Sequence, residues 1–479
     1  MNRAHLQRAC LLGTTALLLA LRIYFAYCRA RVPFEIDYEE GNVLNAGLSL
    51  LRGQTPYPVA SHYPYVVNPY GPLGYLATAL GLRMFGISLF GPRLLVLASG
   101  FAIATLISLL VRRLGGLNYV GWLFGTLYLC SPLLWSWYPL LRVDFWSVSL
   151  SLLGIYVFLS GRQFRATSAF IFACAILTKH TALAAPVACF IDLSRQRKRG
   201  ELGIFVLILS ILLGACYLSL GSNFQFAVLH THPDPYSIIR ALKLYLTAVE
   251  GVLLPLCILV IGTVAGFRCA RESRVLWIYA ATSSAMALTS GKLGSESNHF
   301  IEWTAAVCIL SGLALSWLLN ESHLLAKPLL AGALMLTGIF SVLPHKFIAL
   351  DNLNKCQKAY NFIASYPGNK ILSEDVAALV LGHKQVLVSN PFVITQLRNR
   401  LHWSEGSLDD LVKEQKFDLI VLGGEVQDFV PTSGRWSSDF IRGVGESYEL
   451  DRTFFCSANF GAIYRPRATL ATQRVNTTH

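Results

Sequence analysis

The chain has 479 residues, of which 54% are hydrophobic and only 14% are charged, and its formal net charge is +13. Soluble domains average about 25% charged residues, so this composition excludes an ordinary soluble protein. The basic residues stand in short clusters between apolar runs, which is typical of loops held on the cytoplasmic side of a membrane. The composition therefore predicts a polytopic α-helical membrane protein, of the plasma or inner membrane, without a nucleic-acid partner.

Apolar runs of about 17 to 25 residues predict membrane-spanning helices. The first, near residues 9–28, is too long for a signal peptide and lacks a small-residue cleavage site, so we expect it to be retained. Further candidates lie near 93–111, 118–138, 145–160, 203–220, 247–266, 275–290, 300–319 and 325–345. Basic clusters at alternate junctions, such as Arg112 and Arg113, mark the cytoplasmic side and place the N-terminus there.

The segment 166–193 has basic clusters on both flanks, which requires an even number of crossings, yet it is too short for two full ones. Two short helices broken near Thr178-Lys179-His180-Thr181 satisfy both conditions. Non-helical backbone at this depth is tolerated where it is buried in protein or lines a wet cavity. Lys179 and His180 are therefore candidate site residues, and with this hairpin we expect about eleven membrane segments.

The outer side then receives the loop 29–92, a junction around Arg142 and Asp144, the loop 221–246, the junction from Lys292 to Glu302, and everything after about Leu343. Within the loop, the apolar segments 41–52 and 72–87 predict interfacial helices lying along the membrane surface.

Composition changes after residue 345, where strand patterns alternate with helical ones. We predict strands at Ile371–Asp375, Gln385–Val388 and Phe417–Gly424, and helices near 352–366 and 407–416. The chain is therefore divided into a membrane domain (1–345), a small extracytoplasmic α/β domain (346–466) and a disordered tail (467–479). In an oxidising compartment Cys356 and Cys456 could pair.

Two acids fall at the outer boundary, where each could be an ordinary loop residue or helix cap. Asp37, however, lies beside Glu35, Glu39 and Glu40, and Asp144 lies two residues from Arg142. Like charges in one place need a cation, a proton or a basic ligand. Oxygen ligands of this kind suit Mg²⁺ or Mn²⁺, so Asp37 and Asp144 are also candidate ligands of a divalent metal.

A second group of polar residues carries positive charge or protons. It comprises Lys179 and His180 at the hairpin, His230, His232 and Asp234 in an outer loop, and Lys292, Glu296, Asn298, His299 and Glu302 in a Gly/Ser-rich junction. On a helix, Glu296 would share a face with both Lys292 and His299. Capping and snorkelling at helix ends are the alternative roles, especially for His232.

The order of motifs in the first outer loop resembles that of the GT-C integral-membrane glycosyltransferases. The nearest branch contains protein O-mannosyltransferases, lipid A aminoarabinose transferase and RgtA/B/C/D-like enzymes. The matching motifs are Asp37-Tyr38-Glu39-Glu40-Gly41, Leu51-Arg52-Gly53-Gln54-Thr55-Pro56-Tyr57 and Asn68-Pro69-Tyr70-Gly71-Pro72-Leu73, followed by Arg142-Val143-Asp144 and Leu177-Thr178-Lys179-His180-Thr181. One departure is that Tyr38 follows Asp37, where the branch often has adjacent Asp and Glu.

The resemblance implies transfer of a sugar from a polyprenyl-phosphate carrier to an acceptor lipid, glycan or protein on the outer face. It implies that Asp37 is the catalytic base or an acceptor-binding acid, and that Asp144 is a second acid. Phosphate is the leaving group, which needs positive charge rather than a general acid. The candidate substrate-binding residues are Glu39, Glu40, Tyr57, Arg142, Lys179, His180, His232, Lys292, Glu296 and His299.

Two other functions are compatible with the residues. A transporter would also use broken helices and intramembrane charges, but we find no repeated halves. A non-catalytic protein that binds a lipid carrier in the cell envelope would show the same motifs.

Overall fold

The first part of the chain is a bundle of apolar helices. The computed structural model describes residues 3–59, 63–231, 235–268, 273–342, 350–401, 408–428, 435–457 and 459–467. In chain order the helices up to residue 342 are α1 (Arg3–Ala30), α2 (Glu40–Leu51), α3 (Pro72–Phe85), α4 (Phe90–Arg113), α5 (Asn118–Cys130), α6 (Asp144–Leu159), α7 (Arg165–Thr178), α8 (Ala184–Arg195), α9 (Arg199–Ser219), α10 (Gly221–Leu229), α11 (Ile238–Gly251), α12 (Leu253–Val264), α13 (Arg274–Ala287), α14 (Ile301–Asn320) and α15 (Ala326–Val342).

Among the described residues, four helices are long and apolar enough to cross a membrane: Leu6–Ala30, Phe90–Arg113, Arg199–Ser219 and Ser297–Asn320. The pair α11 and α12 passes the same test when taken together. These helices fit a polytopic membrane protein, and the total of about eleven segments stays a prediction.

Two predicted spans are interrupted, and a proline accounts for each interruption. Helix α5 ends at Cys130, and Ser131 before Pro132 is extended, because the proline ring disfavours a helical residue ahead of it. Helices α11 and α12 meet at an angle of 78°. Pro255 has no N–H for the Gly251 carbonyl, which instead accepts a hydrogen bond from Ser131 Oγ at 3.1 Å. The span candidates at 118–138 and 247–266 therefore each contain a break, and their crossing of the membrane stays a prediction.

The predicted break in the segment 166–193 is confirmed. Helix α7 ends at Thr178, and Lys179 is extended, with φ −142° and ψ 113°. The first outer loop packs directly on this break at Gly71. A Cβ atom there would lie 1.9 Å from the Leu177 carbonyl oxygen, so only glycine permits the contact.

The C-terminal segment, residues 350–467, contains a mixed sheet with helices around it. Its strands are β1 (Ile371–Ser373), β2 (Leu419–Leu422), β3 (Tyr448–Ser457) and β4 (Phe460–Pro466), and its helices are α16 (Leu350–Ser365), α17 (Val376–Leu381), α18 (Pro391–Leu401), α19 (Leu408–Lys413) and α20 (Ser438–Ser447). The strand order is β1-β2-β4-β3. Strands β1 and β2 are parallel, and the other pairs are antiparallel.

The sequence predicted β1, β2, α16 and α19 but missed the hairpin of β3 and β4. The strand predicted at Gln385–Val388 was wrong, because Val388 forms only an isolated bridge to Tyr65 of the first outer loop. Those apolar residues pair with the membrane part rather than with the sheet. The division at residues 345 and 466 stays a prediction, and residues 468–479 lie outside the described part.

A disulfide joins Cys356 of α16 to Cys456 of β3, across 100 residues of sequence. Because the bond closes a long loop, we expect its loss to lower the free energy of unfolding by about 2–4 kcal/mol. The measurement is thermal unfolding in detergent of Cys356→Ser beside Cys10→Ser, which removes an exposed free thiol. Peptide mapping without reductant should recover the linked pair, and two free thiols would contradict the bond.

Candidate functional site

Asp37 and Asp144 lie on either side of one arginine. Asp37 belongs to the turn before α2, and Asp144 is the first residue of α6. Arg142 Nη1 lies 2.5 Å from Asp37 Oδ2, and Arg142 Nε lies 3.4 Å from Asp144 Oδ2. The guanidinium also stacks on the Trp137 ring, 4.9 Å from its centroid. The two acids predicted from the sequence therefore meet in one place.

The broken hairpin brings a second cation to Asp144. Lys179 Nζ lies 2.5 Å from Asp144 Oδ1, and Asn298 Nδ2 donates to the same oxygen at 2.9 Å. The Asp144 side chain is only 3% exposed. Because a buried carboxylate needs charge partners and donors, these contacts hold Asp144 ionised and fix Lys179 beside it.

A polar cavity opens next to this pair. It is small, with a volume of about 30 Å³, and its lining includes Asp144, Lys179, Asn298, His299 and Glu302. Thr289 Oγ1 donates to the Met286 carbonyl at 2.6 Å and lies 3.0 Å from His299 Nδ1. Since the hydroxyl hydrogen is used on the carbonyl, His299 Nδ1 is the donor in the second contact.

Glu39 lies next to Asp37 and is held by the C-terminal segment. Its Oε2 accepts hydrogen bonds from Asn42 Nδ2 at 3.2 Å and from Asn390 Nδ2 at 3.1 Å. Its Oε1 is buried without a hydrogen-bond partner among the described residues. Burial, opposed by Arg142, raises the pKa of the Glu39 carboxyl to about 7.

The carboxylate of Glu40 accepts its hydrogen bonds from the side chain of Arg93 and from backbone N–H groups. Arg93 donates to it from Nε at 2.7 Å and from Nη2 at 2.6 Å, and both side chains are fully buried. The backbone N–H groups of Ile36 and Leu141 donate to it at 2.9 and 2.7 Å. These two residues directly precede Asp37 and Arg142. Glu40 therefore ties the two halves of the site together.

The remaining predicted residues lie around this centre. Tyr57 is buried and its hydroxyl donates to the Tyr70 carbonyl at 2.9 Å. Glu296 is exposed and lies 3.7 Å from Arg240, while Lys292 pairs through its backbone with Tyr236. Of the predicted residues, the cavity lining includes Asp144, Lys179 and His299, and its described part does not include Asp37, Glu39, Glu40, Tyr57, Arg142, His180, Lys292 or Glu296. His232 lies outside the described residues.

Comparisons with known proteins find similarity in fold rather than in sequence. No family model matches the chain, and no curated protein matches it. The crystal structure of ArnT from Cupriavidus metallidurans bound to undecaprenyl phosphate superposes with a TM-score of 0.66 at 14% identity, covering 96% of this chain and 99% of that one. The archaeal oligosaccharyltransferase AglB from Archaeoglobus fulgidus, in complex with an inhibitory peptide and a dolichol-phosphate, gives 0.58 at 11% identity, covering 93% and 73%.

The chain has the GT-C fold. The match to ArnT spans nearly the whole of both chains, so it includes the C-terminal segment as well as the helical bundle. The resemblance stated from the motifs of the first outer loop is thereby confirmed at the level of fold.

A divalent metal was predicted between Asp37 and Asp144. A second structure of the Archaeoglobus fulgidus oligosaccharyltransferase is a complex with Zn and sulfate, with a TM-score of 0.55 at 12% identity. Here the carboxylate oxygens facing each other are occupied by Arg142, Lys179 and Asn298. Within the described ranges, no cluster of three or more His, Cys, Asp or Glu residues could hold a metal. Because protein cations and an amide occupy these oxygens, the arrangement of Asp37 and Asp144 does not fit a metal.

Asn390 has no sequence signal that identifies it, because it lies in a loop 351 residues from Glu39. Asn298 and Glu302 belong to the polar junction singled out from the sequence, and the structure adds that Asn298 contacts Asp144 and that Glu302 lines the cavity. The pairing of Arg93 with Glu40 was not predicted.

Proposed function

We propose that this chain is an integral-membrane glycosyltransferase. It would move a sugar from a polyprenyl-phosphate donor to the hydroxyl of an acceptor lipid, glycan or protein on the outer face, with inversion. The observation that supports this most is the chain of ion pairs from Asp37 through Arg142 and Asp144 to Lys179, of which Asp144 and Lys179 line a polar cavity among apolar helices. The fold shared with a protein bound to undecaprenyl phosphate supports the carrier class.

In this proposal Asp37 is the base. Its side chain is 23% exposed, against 3% for Asp144, so an acceptor hydroxyl reaches it more easily. The acceptor oxygen attacks the anomeric carbon while its proton passes to the Asp37 carboxylate. The bond between that carbon and the phosphate oxygen breaks through an oxocarbenium-like transition state, and the phosphate leaves with the electron pair.

Lys179 and Arg142 supply the charge that the departing phosphate needs. Both cations are fixed by buried contacts to Asp144 before any substrate binds. Donors that are already oriented cost no reorganisation when negative charge develops on the phosphate. Asp144 therefore acts by positioning cations, and Glu40 acts by joining the turns that carry Asp37 and Arg142.

The disulfide favours an extracytoplasmic C-terminal segment, because such bonds persist in oxidising compartments. The basic clusters between spans support the same proposed topology, with the N-terminus in the cytoplasm and the site on the outer face.

The test is an assay of purified protein in lipid vesicles with a panel of polyprenyl-phosphate sugars and membrane lipid acceptors. We expect transfer from at least one donor, with loss of activity when Asp37 is changed. Movement of the sugar lipid across the vesicle without transfer would favour a transporter. Binding of the carrier with no transfer from any donor would favour a non-catalytic role.

Lys179→Ala should weaken binding of bare undecaprenyl phosphate by about tenfold, because a charge-assisted contact to the phosphate is lost. Lys179→Arg keeps the charge and should retain most of the affinity. The control is Lys370→Ala, which removes an exposed lysine of the C-terminal segment. Equal carrier affinity in Lys179→Ala and the control would contradict the assignment of Lys179 to the phosphate.

A further inference from the structure

A carboxyl group that the proposed mechanism does not use lines the same cavity. Glu302 is in the first turn of α14, and its side chain contributes to the lining beside Asp144 and Lys179. Its Oε1 is buried and makes no hydrogen bond to any described residue. An ionisable group within the apolar bundle is costly, so its presence indicates a function.

Three hydroxyl groups surround this acid, each from a different helix. They belong to Tyr128 of α5, Ser151 of α6 and Tyr279 of α13, and all three residues are fully buried. Tyr279 and Ser151 lie near enough to interact with the Glu302 carboxyl, and Tyr128 is within its electrostatic reach. None of the three hydroxyl oxygens makes a hydrogen bond of normal geometry in the described part of the chain.

Such a cluster is expensive unless something pairs with it. Each buried polar group left without a hydrogen-bond partner lowers the stability of the folded protein. Apolar side chains at these four positions would pack without that cost. Of the four groups, Glu302 lines the cavity, so its carboxyl group points to a ligand that brings hydrogen-bond donors of its own.

The position of the cluster relative to Lys179 limits the kinds of ligand that would fit. Ser151 lies two turns along α6 from Asp144, which is about 10 Å. A phosphate held by Lys179 at one end would leave its attached group beside Glu302. A sugar ring offers hydroxyls that both donate and accept, which suits a carboxylate next to hydroxyl side chains.

We propose that Glu302 binds the hydroxyls of the donor sugar ring and determines which sugar the protein accepts. The proposal rests on the proposed function, because it takes the cavity to widen and hold a sugar joined to a lipid phosphate. Glu302 accepts hydrogen bonds from ring hydroxyls, and Tyr279 and Ser151, which lie behind it, orient its carboxyl group.

The experiment compares the affinity for bare undecaprenyl phosphate with that for the sugar-bearing lipids of the panel. Wild-type protein should bind at least one sugar-bearing lipid about tenfold tighter than the bare carrier. Glu302→Gln should remove about tenfold of that preference and change the bare-carrier affinity by about twofold or less. Tyr279→Phe should have a smaller effect in the same direction. The matched control is Glu321→Gln, at the exposed far end of the same helix.

The outcomes separate this inference from the proposed function. Equal weakening of both lipids by Glu302→Gln, or no preference for a sugar-bearing lipid in the wild type, would overturn the inference. Failure of the wild type to transfer any sugar would overturn the proposed function instead. Tyr279→Phe keeps the ring and its packing, so it answers the question even if Glu302→Gln does not fold.

Discussion

Replacement of Asp37 by asparagine should lower the rate of sugar transfer by about 10²- to 10⁴-fold, the range that a positioned general base contributes. Asparagine keeps the shape of the side chain and can still accept a hydrogen bond from Arg142. It cannot take the proton of an attacking hydroxyl. We therefore expect the protein to fold and to bind undecaprenyl phosphate as the wild type does.

Transfer is measured in vesicles with a donor that the wild type uses, and carrier affinity is measured in parallel. Asp428→Asn, a change of the same kind at an exposed position of the C-terminal segment, is the matched control. Transfer at the wild-type rate by Asp37→Asn would show that another group, such as Glu39, is the base. Glu39 has a raised pKa of about 7 and a buried oxygen without a described partner, so it is the next residue to change.

The positions of Asp37, Asp144 and Lys179 were predictable because the membrane limits where they can lie. Charges next to apolar spans must sit at a boundary, and two boundaries on the same side bring distant residues together. The break at Lys179 was predicted because the segment 166–193 needs an even number of membrane crossings but is too short for two full helices. These arguments need no knowledge of side-chain packing, which is why the sequence alone supported them.

The separate roles of Glu39 and Glu40 could not be predicted, because they depend on which way each side chain turns. Glu40 begins α2 and faces Arg93, whereas Glu39 lies just before the helix and faces Asn390, 351 residues away. Because these partners are far away in the sequence, the sequence does not distinguish the roles of the two neighbouring acids. The same limit explains the error at Gln385–Val388, whose apolar residues pair with Tyr65 of the first outer loop instead of with the sheet.

Arg93→Met should lower the free energy of unfolding by about 3–5 kcal/mol, because it leaves the fully buried Glu40 carboxylate without its cation. Burial alone would raise the pKa of Glu40, but Arg93 and the surrounding donors lower it. Arg93 also donates to the Val32 carbonyl at 2.5 Å and to the Phe34 carbonyl at 2.8 Å, so the variant loosens the turn before Asp37 as well. Thermal unfolding in detergent measures the loss, with Arg83→Met, at an exposed position of α3, as the control.

The double variant Arg93→Met with Glu40→Gln distinguishes the effect of the Glu40 charge from the effect of the hydrogen bonds that its side chain accepts. Glutamine carries no charge, so the double variant should be more stable than Arg93→Met alone. Its side-chain oxygen can still accept from the N–H of Leu141 or of Ile36, the bonds that hold Arg142 and Asp37 in register. Sugar transfer should therefore recover together with stability. A double variant that is stable but inactive would mean that the ionised Glu40 acts on the substrate itself, and Glu40 would return to the set of binding residues.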